Sequence, residues 1–201
     1  MAQIDSIAAL EALYPPASEN SLRKVAQRLT PAYAAWIGAS RFCLISTVGP
    51  EGTDCSPRGD RGPVVQIRDE RTLLLPDWPG NNRIDSLRNI VRDPRVSLLF
   101  MVPGAQTVVR VNGQAQISTD AEDLEPFADG HRLPRSVIVV TLGEIYVQCS
   151  KAVIRAKLWS GEDDSARVPT LGEILSEMTD GVVEAGQFDA NFPKRAADTL
   201  W

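Results

Sequence analysis

Residues 73–87 read LLLPDWPGNNRIDSL. Three leucines end a β-rich run at Pro76, Asp77-Trp78-Pro79-Gly80 make a turn, and a helix is predicted over Asn81–Val91. Ile84, Leu87, Ile90 and Val91 fall on one face of that helix, and Asp93-Pro94 closes it, because the residue before a proline avoids the α region. A helix start carries unpaired N–H groups and the positive end of a dipole, which together suit a phosphate. Asn81 and Asn82 can donate or cap there, and Arg83 can add a charge-assisted fork. Read more plainly, Asn81 caps a surface helix and binds nothing. Both readings stay open at this point.

Working outward, the flanking runs are strands. Arg41–Val48 (RFCLISTV) is β-rich and closes on the turn Gly49-Pro50-Glu51-Gly52. Val64–Ile67 and Thr72–Leu75 flank the charged tetrad Arg68-Asp69-Glu70-Arg71, the pattern of a hairpin. Arg95–Val102, Thr107–Ser118 and Ser136–Cys149 follow, with Gly113 and Gly143 as bend or bulge points. A short helix near Ala121–Leu124 and a loop over Pro126–Pro134 join the last two. Upstream, residues 4–13 and 18–39 look helical. Ser18 or Asn20 caps the second, Leu22, Val25, Ala26 and Leu29 lie at helical spacing, and Pro31 restarts the run after Thr30. Beyond Trp159 helical patches are expected near Thr170–Met178 and Gln187–Thr199. The expected fold is α+β dominated by β, a six-stranded antiparallel split β-barrel with flanking helices. Residues 1–40 would pack on the barrel as helices, 41–159 would form it, and 160–201 would be an acidic helical extension.

Composition narrows the chemistry. With 201 residues, 43% hydrophobic and 23% charged, the chain has an ordinary globular balance. The net charge of -5 argues against a nucleic-acid protein held by a general basic field. Nine acids against three bases lie beyond residue 160, so the rest is near neutral. Cys43, Cys55 and Cys149 form no metal-type pair and suit a reducing cytoplasm. No apolar run approaches the roughly 18 residues of a membrane span, and the first twenty residues do not read as a secretory signal. The one histidine, His131, sits in a polar loop, Asp129–Pro134. Zinc sites with several histidines and a conventional Ser-His-Asp triad are therefore disfavoured. Neither GxGxxG nor GxxxxGK[ST] is present.

Two further clusters carry charge. Ser56-Pro57-Arg58-Gly59-Asp60-Arg61-Gly62-Pro63 reads as an unusual loop, from which Arg58 or Arg61 reaches the anion of the Asn81 helix or merely meets solvent. Tyr146–Trp159 (YVQCSKAVIRAKLW) places Lys151, Arg155 and Lys157 where the barrel should end, facing either a ligand or the acidic tail. Cys149 has no base beside it and reads as a semi-buried structural cysteine.

Taken together, SPRGD (56–60), LLLPDWPGNNRIDSLRNI (73–90), DPRVSLLFMVPG (93–104), RVNGQAQI (110–117) and YVQCSKAVIRAKLW (146–159) resemble the FMN-binding members of the pyridoxamine-phosphate-oxidase class. The likeness spans about Arg41 to Trp159 and is nearest to a bacterial subgroup of FMN-dependent enzymes of undefined substrate. It implies that Arg58, Asn82 and Arg83 hold the FMN phosphate, with Asn81 capping the helix beside it. Pro76 and Asp77 would line the ribityl chain or ring edge, and Val64 and Val65 would offer backbone groups to the isoalloxazine. Gln148, Lys151 and Arg155 would approach from the second subunit of a homodimer, with the flavin across the interface. The class implies an oxidoreductase acting on a small molecule, without nucleic-acid or membrane partners, and no side chain stands out as its acid or base. Asn81-Asn82-Arg83 stands where the true oxidases have Ser-Arg-Lys, and their C-terminal Arg-x-His pattern is missing, so vitamin B6 oxidation is not implied. The rival readings are a flavin-binding protein without turnover and a split-barrel relative using haem or a deazaflavin. The lone loop histidine disfavours haem with a protein histidine ligand.

Overall fold

In the computed structural model, which describes residues 3–80, 82–149 and 151–199, the chain starts with three short helices: α1 (Ile7–Glu11), α2 (Glu19–Arg23) and α3 (Pro31–Ala39). Strands β1 (Phe42–Gly49), β2 (Gly52–Gly59), β3 (Gln66–Asp69) and β4 (Thr72–Asp77) precede helix α4 (Asp85–Arg92). Then come β5 (Arg95–Met101), β6 (Val108–Ser118), α5 (Ala121–Leu124) and β7 (Ser136–Gln148). Helices α6 (Lys151–Arg155), α7 (Leu171–Met178) and α8 (Ala185–Thr199) follow.

All strand pairings are antiparallel, in one seven-stranded sheet of order β2-β1-β5-β6-β7-β4-β3. Alternation sets its inner face. Cys43 and Ile45 on β1, Val96, Leu98 and Phe100 on β5, and Val109 and Val111 on β6 are buried, whereas Leu44, Ser46, Ser97 and Leu99 between them are half-exposed. Ile37 of α3 and Ile90 of α4 complete this core. The leucine run of β4 is explained by cover on both faces. Leu73 and Leu75 enter the main core, and Leu74 joins Val137 and Val139 under Leu124 and Phe127.

Gly113 and Gly143 do mark a bulge, where the β6–β7 register shifts between Asn112 and Gly113. A Cβ on Gly113 would lie 2.1 Å from the Thr141 carbonyl oxygen, and one on Gly143 3.2 Å from that of Asn112. Only glycine lets these two backbones approach so closely.

Three expectations are corrected. The sheet has seven strands rather than six, and among the described residues its edges β2 and β3 do not pair, so the barrel is unclosed. The extra strand is β2, which takes in Ser56–Gly59 of the expected loop. Pro57 is tolerated because β2 is an edge strand, where a missing N–H need not break a ladder. The helix expected over 18–39 is broken, because Ala26 exchanges backbone hydrogen bonds with Ile145 at 2.9 and 2.8 Å. The helix resumes at Pro31 with Thr30 as its cap. Ser18 caps α2 as expected. Among the described residues no helix is long and apolar enough to cross a membrane.

Candidate functional site

The alternation of β1 continues into β2 with a change of chemistry. Asp54, Ser56 and Arg58 are the cross-strand partners of Thr47, Ile45 and Cys43, so they share the inner face. At this edge the apolar core gives way to a polar row. Opposite it lie Leu75, Pro76, Asp77 and Trp78 at the end of β4, and Ile84–Leu87 at the start of α4. A cleft of about 410 Å³ runs between them, with Val64 also in its wall.

Helix α4 is held against the sheet from several points. Ser86 Oγ donates to Asp54 Oδ2, Asn89 Nδ2 donates to Thr47 Oγ1 at 3.1 Å, and Arg92 pairs with Glu51 at 2.7 Å. The helix starts at Asp85, four residues later than expected, with Ile84 at its N-cap. Ile84 has φ 52°, a left-handed conformation that costs a β-branched residue energy and turns the chain sharply into the helix. Its first turn therefore carries Asp85 and Ser86 rather than Asn82 and Arg83.

Electrostatics centre on Arg58 and Asp77. Arg58 Nη1 donates to Ser56 Oγ and, at 2.9 Å, to the Pro57 carbonyl, and among the described residues it is in no ion pair. Burial raises the pKa of half-buried Asp77, and the nearby guanidiniums of Arg58 and Arg135 oppose that rise only in part. Beneath Arg58, burial pushes the Cys43 thiol up to about 12 despite the same guanidinium, so it stays neutral.

The expected site residues fall into separate places. Arg58, Val64, Pro76 and Asp77 meet in the cleft. The Val64 N–H donates to the Ser40 carbonyl at 2.8 Å, and Val65 is buried in the core. Asn82 is exposed and its Oδ1 accepts from Arg135 Nη1 at 3.3 Å. Arg83 is exposed, pairs with Asp85 at 2.8 Å and borders a neighbouring hollow with Arg88 and Arg92. Asn81 lies outside the described residues, so its capping role does too. Gln148 lines a hollow of about 380 Å³ on the opposite face of the sheet, with Leu44, Leu99, Met101 and Val108. Lys151 and Arg155 are exposed on α6 beside that hollow. Cys149 is exposed rather than semi-buried, because it follows the last paired residue of β7 and lines this hollow. His131 is exposed in the turn bridged by Asp129 and Arg132, as expected.

Asp54, Ser56, Trp78, Ser86 and Arg135 were missed. The first two carry a legible signal, the period-two spacing Asp54-x-Ser56-x-Arg58, hidden by reading Pro57 and Gly59 as a loop. Arg135 has no local signal. It reaches the site because β7 pairs with β4 there, and its N–H donates to the Asp77 carbonyl at 3.0 Å.

A β-dominated antiparallel sheet with a polar cleft between its edge strand and an inserted helix defines the class. Residues 29–149 match the family described as pyridoxamine 5'-phosphate oxidase, and the chain belongs to that family. Among solved structures it is similar to HupZ of Group A Streptococcus, with 20% identity over 61% of this chain and 95% of that one, and a TM-score of 0.49. General Stress Protein 26 of Bacillus anthracis is 17% identical over 57% of this chain and 88% of its own, with a TM-score of 0.42. A Clostridium acetobutylicum protein related to general stress protein 26, of the pyridoxinephosphate oxidase family, is 11% identical over 59% and 86%, with a TM-score of 0.45. No curated protein matches the chain.

Proposed function

We propose that this protein is an FMN-dependent oxidoreductase acting on a small molecule as a homodimer, with the flavin seated in the cleft between β2, the end of β4 and α4. The observation that carries this reading is Arg58, an inner-face cation in no ion pair among the described residues, facing a cleft of about 410 Å³. That volume falls within the roughly 300–1,000 Å³ usual for small-molecule sites.

The residues present fit the cofactor. Arg58 would be the principal phosphate ligand, with Asn82 and Arg83 at the mouth. Pro76 and Asp77 would line the ribityl chain or ring edge. Val64 would offer its carbonyl, since its N–H is engaged by Ser40, and Val65 would act through its backbone. Bound FMN would supply hydride or electron transfer, and this chain would supply position and electrostatics. Asp77 would hold its proton more tightly than an ordinary carboxyl at the edge of the bound group.

Gln148, Lys151 and Arg155 lie away from the cleft of their own chain, and a second copy is how they would reach a flavin. The half-exposed Leu44, Leu99 and Met101 on that outer face suit burial against such a copy. Three free cysteines suit a reducing cytoplasm.

The test is to load the protein with FMN and mix it anaerobically with NADH or NADPH, following flavin absorbance. Rapid bleaching and recovery with an acceptor supports an oxidoreductase. Tight flavin binding without reduction by any donor would leave a passive flavin-binding protein instead.

A further inference from the structure

We propose that the cleft binds a phosphate-bearing ligand together with a proton from solvent, and that Asp77 is the group that receives the proton. The proposal rests on the placement of the ligand phosphate at Arg58 above and adds what becomes of the charge opposite it.

Among the described residues, five charged side chains line the cleft. Asp54 and Arg58 stand on β2 with Asp60 just beyond it, Asp77 ends β4, and Asp85 opens α4. Cys55, between Asp54 and Ser56, alternates to the outer face of the sheet. Three of the four carboxylates are engaged. Asp54 accepts from Ser86 Oγ, Asp60 accepts from the Gly62 N–H at 3.3 Å, and Asp85 pairs with Arg83 at 2.8 Å. The half-buried carboxyl of Asp77 accepts no hydrogen bond and is in no ion pair among the described residues. Its charge is balanced only at a distance, by the guanidiniums of Arg58 and of Arg135 ahead of β7.

A ligand phosphate on Arg58 alters every influence on this carboxyl in the same direction. It engages the guanidinium that favours the ionised form, sets a second anion in the cleft, and displaces water from around Asp77. Burial already favours the protonated form, so each change adds to it. Arg135 is exposed and donates to Asn82, so solvent screening leaves it little power to offset them. A proton on Asp77 breaks no hydrogen bond, whereas one on Asp54, Asp60 or Asp85 would weaken a contact already made.

The sign of the linkage follows. Asp77 holds its proton more tightly beside the ligand, so the ligand binds more tightly where Asp77 is protonated. Affinity for FMN should fall as pH rises from the ordinary carboxylate range, and level off once the bound form has also lost its proton. Each pH unit between the free and bound titrations is worth about tenfold in Kd.

The test is calorimetric titration of the full chain with FMN in buffers of different ionisation enthalpy, from the ordinary carboxylate range to neutral pH. The buffer dependence of the heat counts the protons taken up. The FMN phosphate itself titrates at about pH 6, so the reading is the wild-type uptake minus that of Asp77→Asn. Wild type should take up a further fraction of a proton. Asp77→Asn should bind FMN severalfold more tightly than wild type at neutral pH, and no more tightly at the acid end. Asp60→Asn, which removes the same charge from the cleft, should keep the uptake. In the unaltered protein, carboxyl-carbon NMR should show an aspartate that titrates at higher pH with FMN than without. Equal uptake in wild type and Asp77→Asn, or no aspartate titration moved by FMN, would overturn the proposal while leaving FMN in the cleft. No binding of FMN by the wild type at any pH would end both readings.

Discussion

Replacing Arg58 by alanine should weaken FMN binding far more than replacing Arg83. Arg58 stands on the inner face of β2, opposite Asp77, and is in no ion pair among the described residues. A charge-assisted hydrogen bond to a phosphate is worth about 1.5–3 kcal/mol, roughly a ten- to hundredfold or greater rise in Kd. Arg83 is 77% exposed and already paired with Asp85. Solvent screening holds such a contact to about 1 kcal/mol or less, roughly fivefold at most. Titration of each variant with FMN, read by quenching of flavin fluorescence, gives the two ratios directly. Thermal melting of the apo forms checks that both variants fold. Removing Arg58 also removes an influence that lowers Asp77, so that carboxyl should titrate still higher in the variant. A larger loss from Arg83→Ala than from Arg58→Ala would refute the placement of the phosphate on the β2 side of the cleft.

Further outcomes follow from particular contacts. Gly113→Ala would push a methyl against the Thr141 carbonyl and should cost about 1–3 kcal/mol or more, seen as a lower denaturant midpoint. A thiol reagent should modify Cys55 and Cys149 quickly and Cys43 only after unfolding, because Cys43 is buried and its thiol is pushed up to about 12. Three fast thiols would contradict that burial. The raised Asp77 pKa means the folded apo protein holds this proton more tightly than the unfolded chain, so stability is lost as pH rises from the ordinary carboxylate value through the raised one. Asp77→Asn should therefore raise the apo Tm at neutral pH and lose the gain below the ordinary carboxylate range. An equal gain at every pH would point to a cause other than titration.

Much of the architecture was legible because burial imposes periodicity. β1, β5, β6 and β7 announce themselves by β-rich runs, and Gly113 and Gly143 mark the bulge because no side chain fits there. β2 was hidden because its chemistry serves the cleft. An edge strand accepts Pro57, and inward-facing Asp54, Ser56 and Arg58 replace the apolar residues by which a strand is usually found. The break at Ala26 was hidden for another reason. Helical spacing at Leu22, Val25, Ala26 and Leu29 is local, whereas the pairing that overrides it comes from Ile145, far along the chain. The late start of α4 has the same character. Asn81-Asn82-Arg83 reads as a helix start, but the chain spends Asn82 and Arg83 on a turn that Ile84 ends in a left-handed conformation. Of the candidate site, the residues on β2 and β4 could be found from sequence, and Arg135 could not, since only the β4–β7 pairing brings it there.

The central claim is that the cleft holds FMN. Purified protein should be denatured, and the small molecule it releases identified by mass spectrometry alongside the visible spectrum of the native form. The account predicts FMN and a flavin spectrum, or stoichiometric uptake of added FMN by protein purified without it. Release of a haem or a deazaflavin, or no flavin and no uptake, would contradict it.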